Sequence, residues 1–470
     1  MTAKATRTWV LALTSVASLM VALDALVVTT ALSTIRVDLG ASIEQLEWTV
    51  NAYNLSFAVL LMTAAAVGDR IGRRRMFAAG LGLFVAASAG CALAPDVGWL
   101  IAARAVQGVG AAMITPVALA LLSANFPAEL RGKAMGMFAG ITGLAVLGGP
   151  VVGGAIAQGA AWQWIFWLNV PIGLAAIPLV LRRIPESYGR RARIDLGGLA
   201  LVTGAALGIV WGLVRGNQAG WGSLEVVGTL AAGAVLAAAF VAWELRAREP
   251  MLPMGFFRSR AFSAGNASVF FLLASLFGAV FFLAQFLQTS LGHGPLDTGL
   301  RLMPWTATLF IVAPIAGSLV NRVGERPLIV GGLLLQTIGM ASIALMASPT
   351  MAYADMVPAL VVAGTGVSMA IPATQSVIMG ALGPTEAGKA SGTYNMVRQL
   401  GGVFGIAILV AVFSGAGSYA SPQAFSDGFG PALAVTAGLA LVGALTALGL
   451  PGRRSVFAPA PAAVVAETAR

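Results

Sequence analysis

The run WVLALTSVASLMVALDALVVTTALS, residues 9–33, decides the fold class of this chain. Its side chains are apolar or small apart from one charged residue, Asp24. A helix needs about 20 such residues to cross the hydrocarbon core of a bilayer, and the run exceeds that length. Lys4 and Arg7 precede it as in a signal peptide, but the run is too long and lacks a small-residue cleavage site. We therefore expect a retained first membrane-spanning helix.

The composition excludes whole classes of protein. The chain has 470 residues, of which 58% are hydrophobic and 10% charged, and its mean hydropathy is +0.88. Soluble domains carry roughly 25% charged residues, so this chain cannot cover a water-facing surface. A soluble enzyme, a disordered scaffold and a nucleic-acid-binding domain are excluded. Cys91 and His293 are the only residues of their types, so we expect no metal site and no catalytic triad.

Apolar windows long enough to span a bilayer recur along the whole chain. They are continuously apolar and do not alternate every second residue, which predicts helices and not barrel strands. The predicted fold class is therefore an all-α integral membrane protein with fourteen transmembrane helices. The windows are 9–33, 48–67, 76–94, 98–122, 134–156, 162–181, 196–214, 226–243, 262–287, 302–320, 327–347, 356–381, 390–414 and 430–450.

The distribution of cations predicts the orientation. With the N-terminus in the cytoplasm, the cytoplasmic segments hold 23 of the 28 Lys and Arg residues, and only Arg36, Arg215 and Arg301 lie outside. Cytoplasmic loops of membrane proteins are enriched in Lys and Arg. The pI of about 10.7 therefore reflects contact with anionic headgroups and not with nucleic acid. We expect a multi-pass protein of the plasma or inner membrane, with both termini cytoplasmic.

Two similar loops predict an internal repeat. The loop GDRIGRRR (68–75) follows the second window, and NRVGER (321–326) follows the tenth. Each loop thus follows the second helix of a six-helix block, which predicts a 6+2+6 arrangement. The predicted units are an N-terminal bundle at 1–185, a two-helix linker hairpin with basic flanks at 186–255, a C-terminal bundle at 256–452 and a disordered tail at 453–470.

Three charged residues lie inside the windows: Asp24, Arg104 and Arg398. Ionisable groups at membrane depth are costly and mark functional sites by default. At about 1.5 Å of rise per residue, Asp24 and Arg104 both fall in the outer half of the membrane at similar height. They form either a packing ion pair or a proton site. We favour the proton site, because a conformational change that separates or rewets the pair would switch the protonation of Asp24.

A glycine-rich segment lies in the fifth window, GITGLAVLGGPVVGG (140–154). Small residues three and four positions apart let membrane helices approach closely, and a proline inside a helix permits bending. The segment therefore predicts where this helix packs or bends. The residues concerned are Gly140, Gly143, Gly148, Gly149, Pro150, Gly153 and Gly154.

Polar and aromatic residues within the windows suggest a substrate cavity. The ninth window carries Phe residues in two stripes at helical spacing, which can serve lipid contact and helix packing or line a cavity for a bulky amphipathic molecule. The sequence leaves three alternatives for the partner of Arg398: helix carbonyls, water or an anionic substrate group. The candidate cavity residues are Trp48, Asn51, Tyr53, Asn54, Gln107, Phe271, Phe281, Gln285 and Arg398.

One near-match to a nucleotide site needs to be excluded. Gly383, Gly388 and Lys389 have the spacing of a phosphate loop, but Ala390 stands where Ser or Thr must coordinate Mg²⁺. The segment also precedes a membrane helix and follows no strand. We therefore expect no cofactor, and transport driven by an ion gradient.

Five motifs in order resemble the major facilitator superfamily, and specifically its fourteen-helix drug:proton antiporter branch. The resemblance covers nearly the whole chain, with two departures: Ala65 replaces a frequent Gly, and Gln163 replaces the usual Arg. The motifs are LDALVVTTALSTI (23–35), GDRIGRRR (68–75), RAVQGVGAAMITP (104–116), GITGLAVLGGPVVGG (140–154) and WQWIFWLNVPIG (162–173).

The resemblance implies a mechanism. Two six-helix bundles would rock around a central cavity, with Asp24 exchanging a proton against substrate and Arg104 taking part in proton coupling. The motif at 140–154 would mark an exporter. Asp69 and Arg73 would act as a gate latch in the first half only, because Asn321 replaces the acid in the second loop. The gating-loop positions that match the family are Asp69, Arg70, Gly72, Arg73 and Arg74.

Three functions remain to be weighed. The first is a proton-coupled exporter of hydrophobic drugs or antibiotics, acting as a monomer with a small amphipathic substrate, protons and the lipid bilayer as partners. The second is a proton-coupled uptake symporter of the same fold. The third is a channel or receptor, which fits poorly with the repeat. The glycine-rich segment 140–154 and the apolar, Phe-rich helices favour the exporter.

Overall fold

The computed structural model describes residues 3–189, 194–382 and 386–452 of the chain. Within these ranges every regular element is helical. Fourteen spans are long and apolar enough to cross a membrane, which confirms the predicted number. The predicted tail at 453–470 lies outside the described residues, and so do Gly383 and the cations Arg190, Arg191 and Arg193.

We number the fourteen spans α1 to α14 in chain order. Two are interrupted: α6 comprises Trp164–Trp167 and Asn169–Arg183, and α10 comprises Pro295–Arg301, Met303–Thr306 and Thr308–Val323. The other twelve are α1 (Ala3–Leu39), α2 (Ile43–Ile71), α3 (Arg73–Ala92), α4 (Val97–Asn125), α5 (Ala128–Gly159), α7 (Leu196–Ala219), α8 (Leu224–Glu244), α9 (Arg260–Thr289), α11 (Glu325–Met346), α12 (Tyr353–Gly380), α13 (Ala387–Ala416) and α14 (Pro422–Leu448).

Capping at the helix ends extends several spans beyond their apolar windows. At α2, Ser42 Oγ accepts a hydrogen bond from the Gln45 backbone N at 3.3 Å, and the Ser42 N donates to Gln45 Oε1 at 2.9 Å. At α4, the Asp96 carboxylate accepts from the Trp99 N at 2.8 Å. Such caps satisfy N–H groups of the first turn. The helices therefore begin in the polar interface, ahead of the hydrocarbon core.

The two repeat loops turn on glycines with the same backbone conformation. Gly72, between α2 and α3, has φ of +112°, and Gly324, between α10 and α11, has φ of +95°. L-residues rarely adopt this region, which favours glycine. At Gly72 a Cβ would also lie 2.7 Å from the Glu186 carboxyl carbon, so the end of that side chain would have to move.

The same helix pairings occur in the first and last six spans. In the first six, α1 packs on α5, α2 on α4, α3 on α4 and α3 on α6. In the last six, the corresponding pairs are α9 with α13, α10 with α12, α11 with α12, and α11 with α14. We call these groups the N-terminal half and the C-terminal half. They meet where α2 contacts α13, α5 contacts α10 and α1 contacts α9. The 6+2+6 division into domains stays a prediction.

The hairpin of α7 and α8 contacts both halves. α7 packs against α13 and α2, where the Trp48 and Trp211 rings lie 6.0 Å apart and Asn217 Nδ2 donates to the Ala411 carbonyl. α8 packs on α7 and leaves much of its apolar surface exposed. The apolar windows of this pair lack ionisable residues, but the helices extend to include Arg215, which pairs with Glu225 at 3.0 Å. Its role as a spacer stays a prediction.

The central cavity is closed at one end by α5 and α10. A Cβ at Gly154 would lie 2.2 Å from the Pro295 carbonyl oxygen, and a Cβ at Gly299 would lie 2.3 Å from the Pro150 carbonyl oxygen. At the other end the cavity reaches the face that carries the basic repeat loops, which we call the basic face. The structure is therefore a state open toward the basic face and closed at the opposite face.

Candidate functional site

The cavity between the two halves has a volume of about 1630 Å³. That exceeds the roughly 300–1,000 Å³ of common small-molecule pockets. Aromatic side chains from both halves line it, together with a few uncharged polar groups. The aromatic set is Tyr53, Phe57, Phe138, Phe256, Phe277, Trp305 and Tyr394. The polar set includes Ser18, Asn54, Thr115, Ser368, Gln375, Asn395 and Gln399.

Charged residues lining the cavity concentrate at its mouth. Arg398, within α13, is the one charged lining residue away from helix ends and loops in the part of the chain that the structure describes. The others lie at helix termini or in the segment after α8. They are Asp69, Arg73, Asp195, Arg248, Glu249, Glu386 and Lys389.

A buried ion pair lies beside the cavity. Asp24 Oδ2, on α1, is 2.5 Å from Arg104 Nη1, on α4, and the two residues are 2% and 0% exposed. Asp24 Oδ1 accepts hydrogen bonds from Gln107 Nε2 at 2.9 Å and from Asn169 Nδ2 at 2.8 Å. All three partners are donors to the carboxylate. The geometry therefore suits ionised Asp24, and a proton on it would displace a donor.

A second layer fixes the donors around Asp24. Ser88 Oγ on α3 accepts from Gln107 Nε2 at 2.7 Å and from Asn169 Nδ2 at 3.2 Å. Arg104 Nη1 also donates to Gln107 Oε1 at 2.6 Å, and its Nε donates to the Thr49 carbonyl at 3.1 Å. Residues of α1, α2, α3, α4 and α6 thus take part in one network around the carboxylate. One donor in it, Arg104 Nη2, is buried without a hydrogen-bond partner among the described residues.

Tyr53 separates this network from the cavity. The Arg104 guanidinium lies 4.2 Å from the centre of the Tyr53 ring, within range of a cation–π contact. The Tyr53 hydroxyl donates to the Val21 carbonyl at 3.2 Å. Tyr53, Val21 and Ala25 line the cavity, whereas Asp24 does not. Water in the cavity therefore reaches Asp24 only if this wall moves.

The gating loop is held within the N-terminal half. Asp69 Oδ1 pairs with Arg73 Nε at 2.7 Å, and the Asp69 carbonyl accepts from the Gly189 N at 3.0 Å. Glu186 accepts from the Arg74 N at 2.8 Å and lies 3.6 Å from the Arg74 Nε. Arg70 is exposed. In the C-terminal half, by contrast, Glu325 Oε1 accepts from Ser376 Oγ at 3.3 Å.

The six glycines of the segment 140–154 in α5 fall into three sets. Gly149 and Gly153 pack against α1, where a Cβ would lie 2.8 Å from Leu26 Cβ and 2.5 Å from Thr30 Oγ1 respectively. Gly154 forms the contact with α10 described above. The remaining three have open space beside them, namely Gly140, Gly143 and Gly148.

Three of the predicted cavity residues line the cavity: Tyr53, Asn54 and Arg398. The others lie outside it in this conformation, because their helix faces pack on neighbouring helices. For example, Gln107 belongs to the Asp24 network, and Gln285 accepts from the Tyr419 hydroxyl. The residues outside the cavity are Trp48, Asn51, Gln107, Phe271, Phe281 and Gln285.

The structure adds site residues that the sequence reasoning missed. Ser88 and Asn169 complete the network around Asp24. Both are uncharged polar residues inside apolar windows, and this feature of the sequence could have identified them as candidates. Glu47 is a further buried acid, 0% exposed, one position before its window. Its Oε1 accepts from Asn51 Nδ2 at 2.9 Å, and its Oε2 has no hydrogen-bond partner among the described residues.

The family model of the Major Facilitator Superfamily matches residues 14–406. This chain therefore belongs to the Major Facilitator Superfamily, a class of membrane transporters. The match covers the first six spans, the hairpin and most of the remaining six.

Several curated relatives are resistance or export proteins. The tetracenomycin C resistance and export protein of Streptomyces glaucescens is 34% identical over 398 residues, 84% of this chain and 74% of that protein. The puromycin resistance protein pur8 of Streptomyces alboniger is 34% identical over 458 residues, 94% of this chain and 90% of that protein. The multidrug resistance protein Stp of Mycobacterium tuberculosis is 34% identical over 397 residues, 84% of this chain and 74% of that protein.

Solved transporters share the fold. The crystal structure of a POT family transporter in complex with 5-aminolevulinic acid superposes with a TM-score of 0.70 at 14% identity, covering 93% of this chain and 95% of that one. A bacterial homolog to the human lysosomal transporter Spinster, inward-facing and occupied, gives 0.68 at 16% identity, covering 94% and 96%. At this identity the likeness establishes the fold alone.

Proposed function

We propose that this protein is a proton-driven exporter of hydrophobic drugs or antibiotics that works by alternating access. The names of its relatives support drug export. One observation carries the proton role: a carboxylate, Asp24, is enclosed beside Arg104 directly behind the wall of the central cavity. A proton relay in a transporter requires a buried acid whose polar surroundings can change between conformations.

The orientation follows from the cations. The basic face would be cytoplasmic, with both termini on that side and the protein in the plasma or inner membrane. The state described above would then be open to the cytoplasm. In it three donors hold the Asp24 carboxylate, and the cavity admits substrate from the cytoplasm or the inner leaflet.

The contacts of α5 offer a route by which closure of the outer side affects Asp24. α5 touches α10 of the other half through Gly154, and it touches α1 through Gly149 and Gly153. Asp24 lies on α1, whereas its donors lie on α4 and α6. When α10 leaves α5 as the outer side opens, α1 is free to shift relative to those donors. The shift would rewet Asp24.

Protonation from outside would then drive the return step. A proton on Asp24 removes its negative charge. The ion pair with Arg104 then no longer stabilises the conformation described here relative to the alternative conformation. Substrate leaves outward, the halves close the outer side, and the proton is released to the cytoplasm. We propose the proton gradient as the energy source, without a cofactor, and the monomer as the working unit.

The test uses acid-loaded everted vesicles with equal amounts of wild-type and Asp24→Asn protein. Adding a panel of antibiotics and dyes should release protons from wild-type vesicles and not from those with Asp24→Asn. Accumulation of a fluorescent substrate should fail in the same variant. Substrate-dependent proton movement that survives in Asp24→Asn would overturn the proton role of Asp24. Substrate entry coupled in the opposite direction would favour an uptake symporter.

A further inference from the structure

Arg398 lies deep in the cavity wall. It is in the twelfth position of α13, about 16 Å from the start of the helix at 1.5 Å per residue. Asn395 and Gln399, beside it on α13, also line the cavity. The Arg398 side chain is half-buried, so it is neither in bulk water nor enclosed by protein.

No protein group neutralises this cation within the described part of the chain. Arg398 has no ion pair and no hydrogen bond there. The cavity carboxylates Asp69, Asp195, Glu249 and Glu386 all lie at its mouth. Asp24, the acid at membrane depth nearest the cavity wall, is already paired with Arg104. A guanidinium at this depth is unfavourable unless it faces a polar pathway or a partner.

We propose that Arg398 is an anion site in the substrate cavity, and that the preferred substrates are amphipathic molecules with an aromatic body and one acidic group. The inference rests on the proposed export function and specifies its substrate class. A guanidinium presents a planar fork of donors that matches a carboxylate in a bidentate way. Asn54, Asn395 and Gln399 supply further amide groups on the same cavity surface.

The aromatic lining fits the rest of such a molecule. Phe57 and Phe277, from opposite halves, provide apolar surface, and Trp305 provides a large flat ring. A cationic substrate, by contrast, would meet the positive charge of Arg398 with no unpaired carboxylate beside it. Like-charge contact of this kind discriminates against a ligand. The cavity therefore selects by charge as well as by size.

The experiment compares two xanthene dyes that share a ring system: fluorescein, which is anionic, and rhodamine 6G, which is cationic. Binding is measured by fluorescence anisotropy on the full-length protein in nanodiscs, without a proton gradient. We expect Arg398→Gln to weaken fluorescein binding about tenfold or more, since a lost charge-assisted contact of about 1.4 kcal/mol is tenfold in affinity. Rhodamine 6G binding should strengthen in the same variant, because its cation no longer meets the like charge of Arg398.

Matched variants keep the result interpretable. Arg398→Lys keeps the charge and should keep part of the fluorescein affinity. Lys133→Gln removes an exposed cation of α5 that does not line the cavity, and it should change the binding of neither dye. Each variant is checked for folding by thermal unfolding. Repeating the titrations with and without phosphatidylglycerol tests whether a lipid headgroup takes the site. Fluorescein binding abolished by that lipid would overturn the substrate assignment.

The anion site at Arg398 and the proton role of Asp24 can be tested separately. Asp24→Asn should bind fluorescein as the wild type does, because Asp24 does not line the cavity. Equal loss of both dyes in Arg398→Gln, loss of neither, or no fluorescein binding by the wild type would each overturn the anion site. None of those results depends on whether protons drive the transport.

Discussion

The two halves repeat the same helix pairings but contain different chemistry. In the N-terminal half, α1, α3, α4 and α6 converge on the charged network of Asp24 and Arg104. In the C-terminal half, α9, α13 and α14 converge on stacked rings, with Phe286 and Phe429 4.1 Å apart and Phe282 and Phe413 5.0 Å apart. The network of the N-terminal half thus contains ionisable groups, whereas the cluster of the C-terminal half consists of apolar rings.

The paired helices α4 and α12 show the contrast at a single position. Arg104 is the eighth residue of α4, and the eighth residue of α12 is Leu360, which is fully buried in the apolar core. The backbone arrangement is thus repeated, whereas the position holds a buried ion-paired Arg in one half and an apolar side chain in the other. The contribution of the C-terminal half to the cavity includes Arg398.

The largest expected effect comes from removing the titratable group of the N-terminal half. Asp24→Asn keeps the size of the side chain and one acceptor but cannot ionise. Concentrative efflux should fall by about two orders of magnitude, because protonation no longer biases the two conformations. Binding of a neutral substrate without a gradient should be nearly unchanged. Efflux is measured in vesicles driven by an imposed proton gradient.

Glu47→Gln is the matched control for that experiment. Glu47 is as buried as Asp24 but has a single side-chain donor and no place on the cavity wall. We expect transport within about twofold of wild type, since an amide preserves the oxygen that accepts from Asn51. Equal losses in both variants would mean that buried acids in general, and not the Asp24 network, support transport.

The second effect is on stability and concerns Arg104→Leu, which gives α4 the residue type found at Leu360. The change leaves the Asp24 carboxylate buried without its cation, which destabilises a protein by about 3–5 kcal/mol. Thermal unfolding in detergent should shift downward accordingly. The double variant Asp24→Asn with Arg104→Leu should recover much of that loss but not transport. A double variant as unstable as the single one would contradict the ion-pair explanation.

The third effect concerns the contact between halves. Gly154→Val would place a side chain against the Pro295 carbonyl, so the two halves could not close opposite the basic face as they do here. Efflux should fall about tenfold, corresponding to a shift of roughly 1.4 kcal/mol toward outward-open states. Gly148→Val, on the same helix with open space beside it, is the control. Labelling of cysteines introduced at the outer ends of α5 and α10 should increase only in Gly154→Val.

The smallest effect compares the two repeat loops. Asp69→Asn removes the acid of the 2.7 Å pair with Arg73 at the cavity mouth. Transport should fall severalfold with expression intact, because a partly exposed ion pair contributes about 1 kcal/mol or less. Glu325→Gln in the other loop should change transport less. A larger loss from Glu325→Gln would show that gating depends on the C-terminal half.

The sequence alone determined the number and approximate position of the spans. Partition of a segment into the bilayer depends on its own length and polarity, so a window such as 9–33 can be identified without its neighbours. The same holds for the similar depth of Asp24 and Arg104, because helical rise is constant. The loops at 68–75 and 321–326 were also visible in the sequence, because their residues, including the glycines, follow a similar order.

Only the tertiary structure decided which faces meet. The period of α9 predicts two aromatic stripes, but the rotation of the helix against its neighbours puts Phe277 on the cavity and Phe281 in the core. Ser88 and Asn169 join Asp24 although they are far from it in the chain. Contacts of this kind depend on the packing of several helices at once. The enclosure of Asp24 behind Tyr53, and the lack of an ion-pair partner for Arg398 among the described residues, therefore could not be obtained from residue spacing.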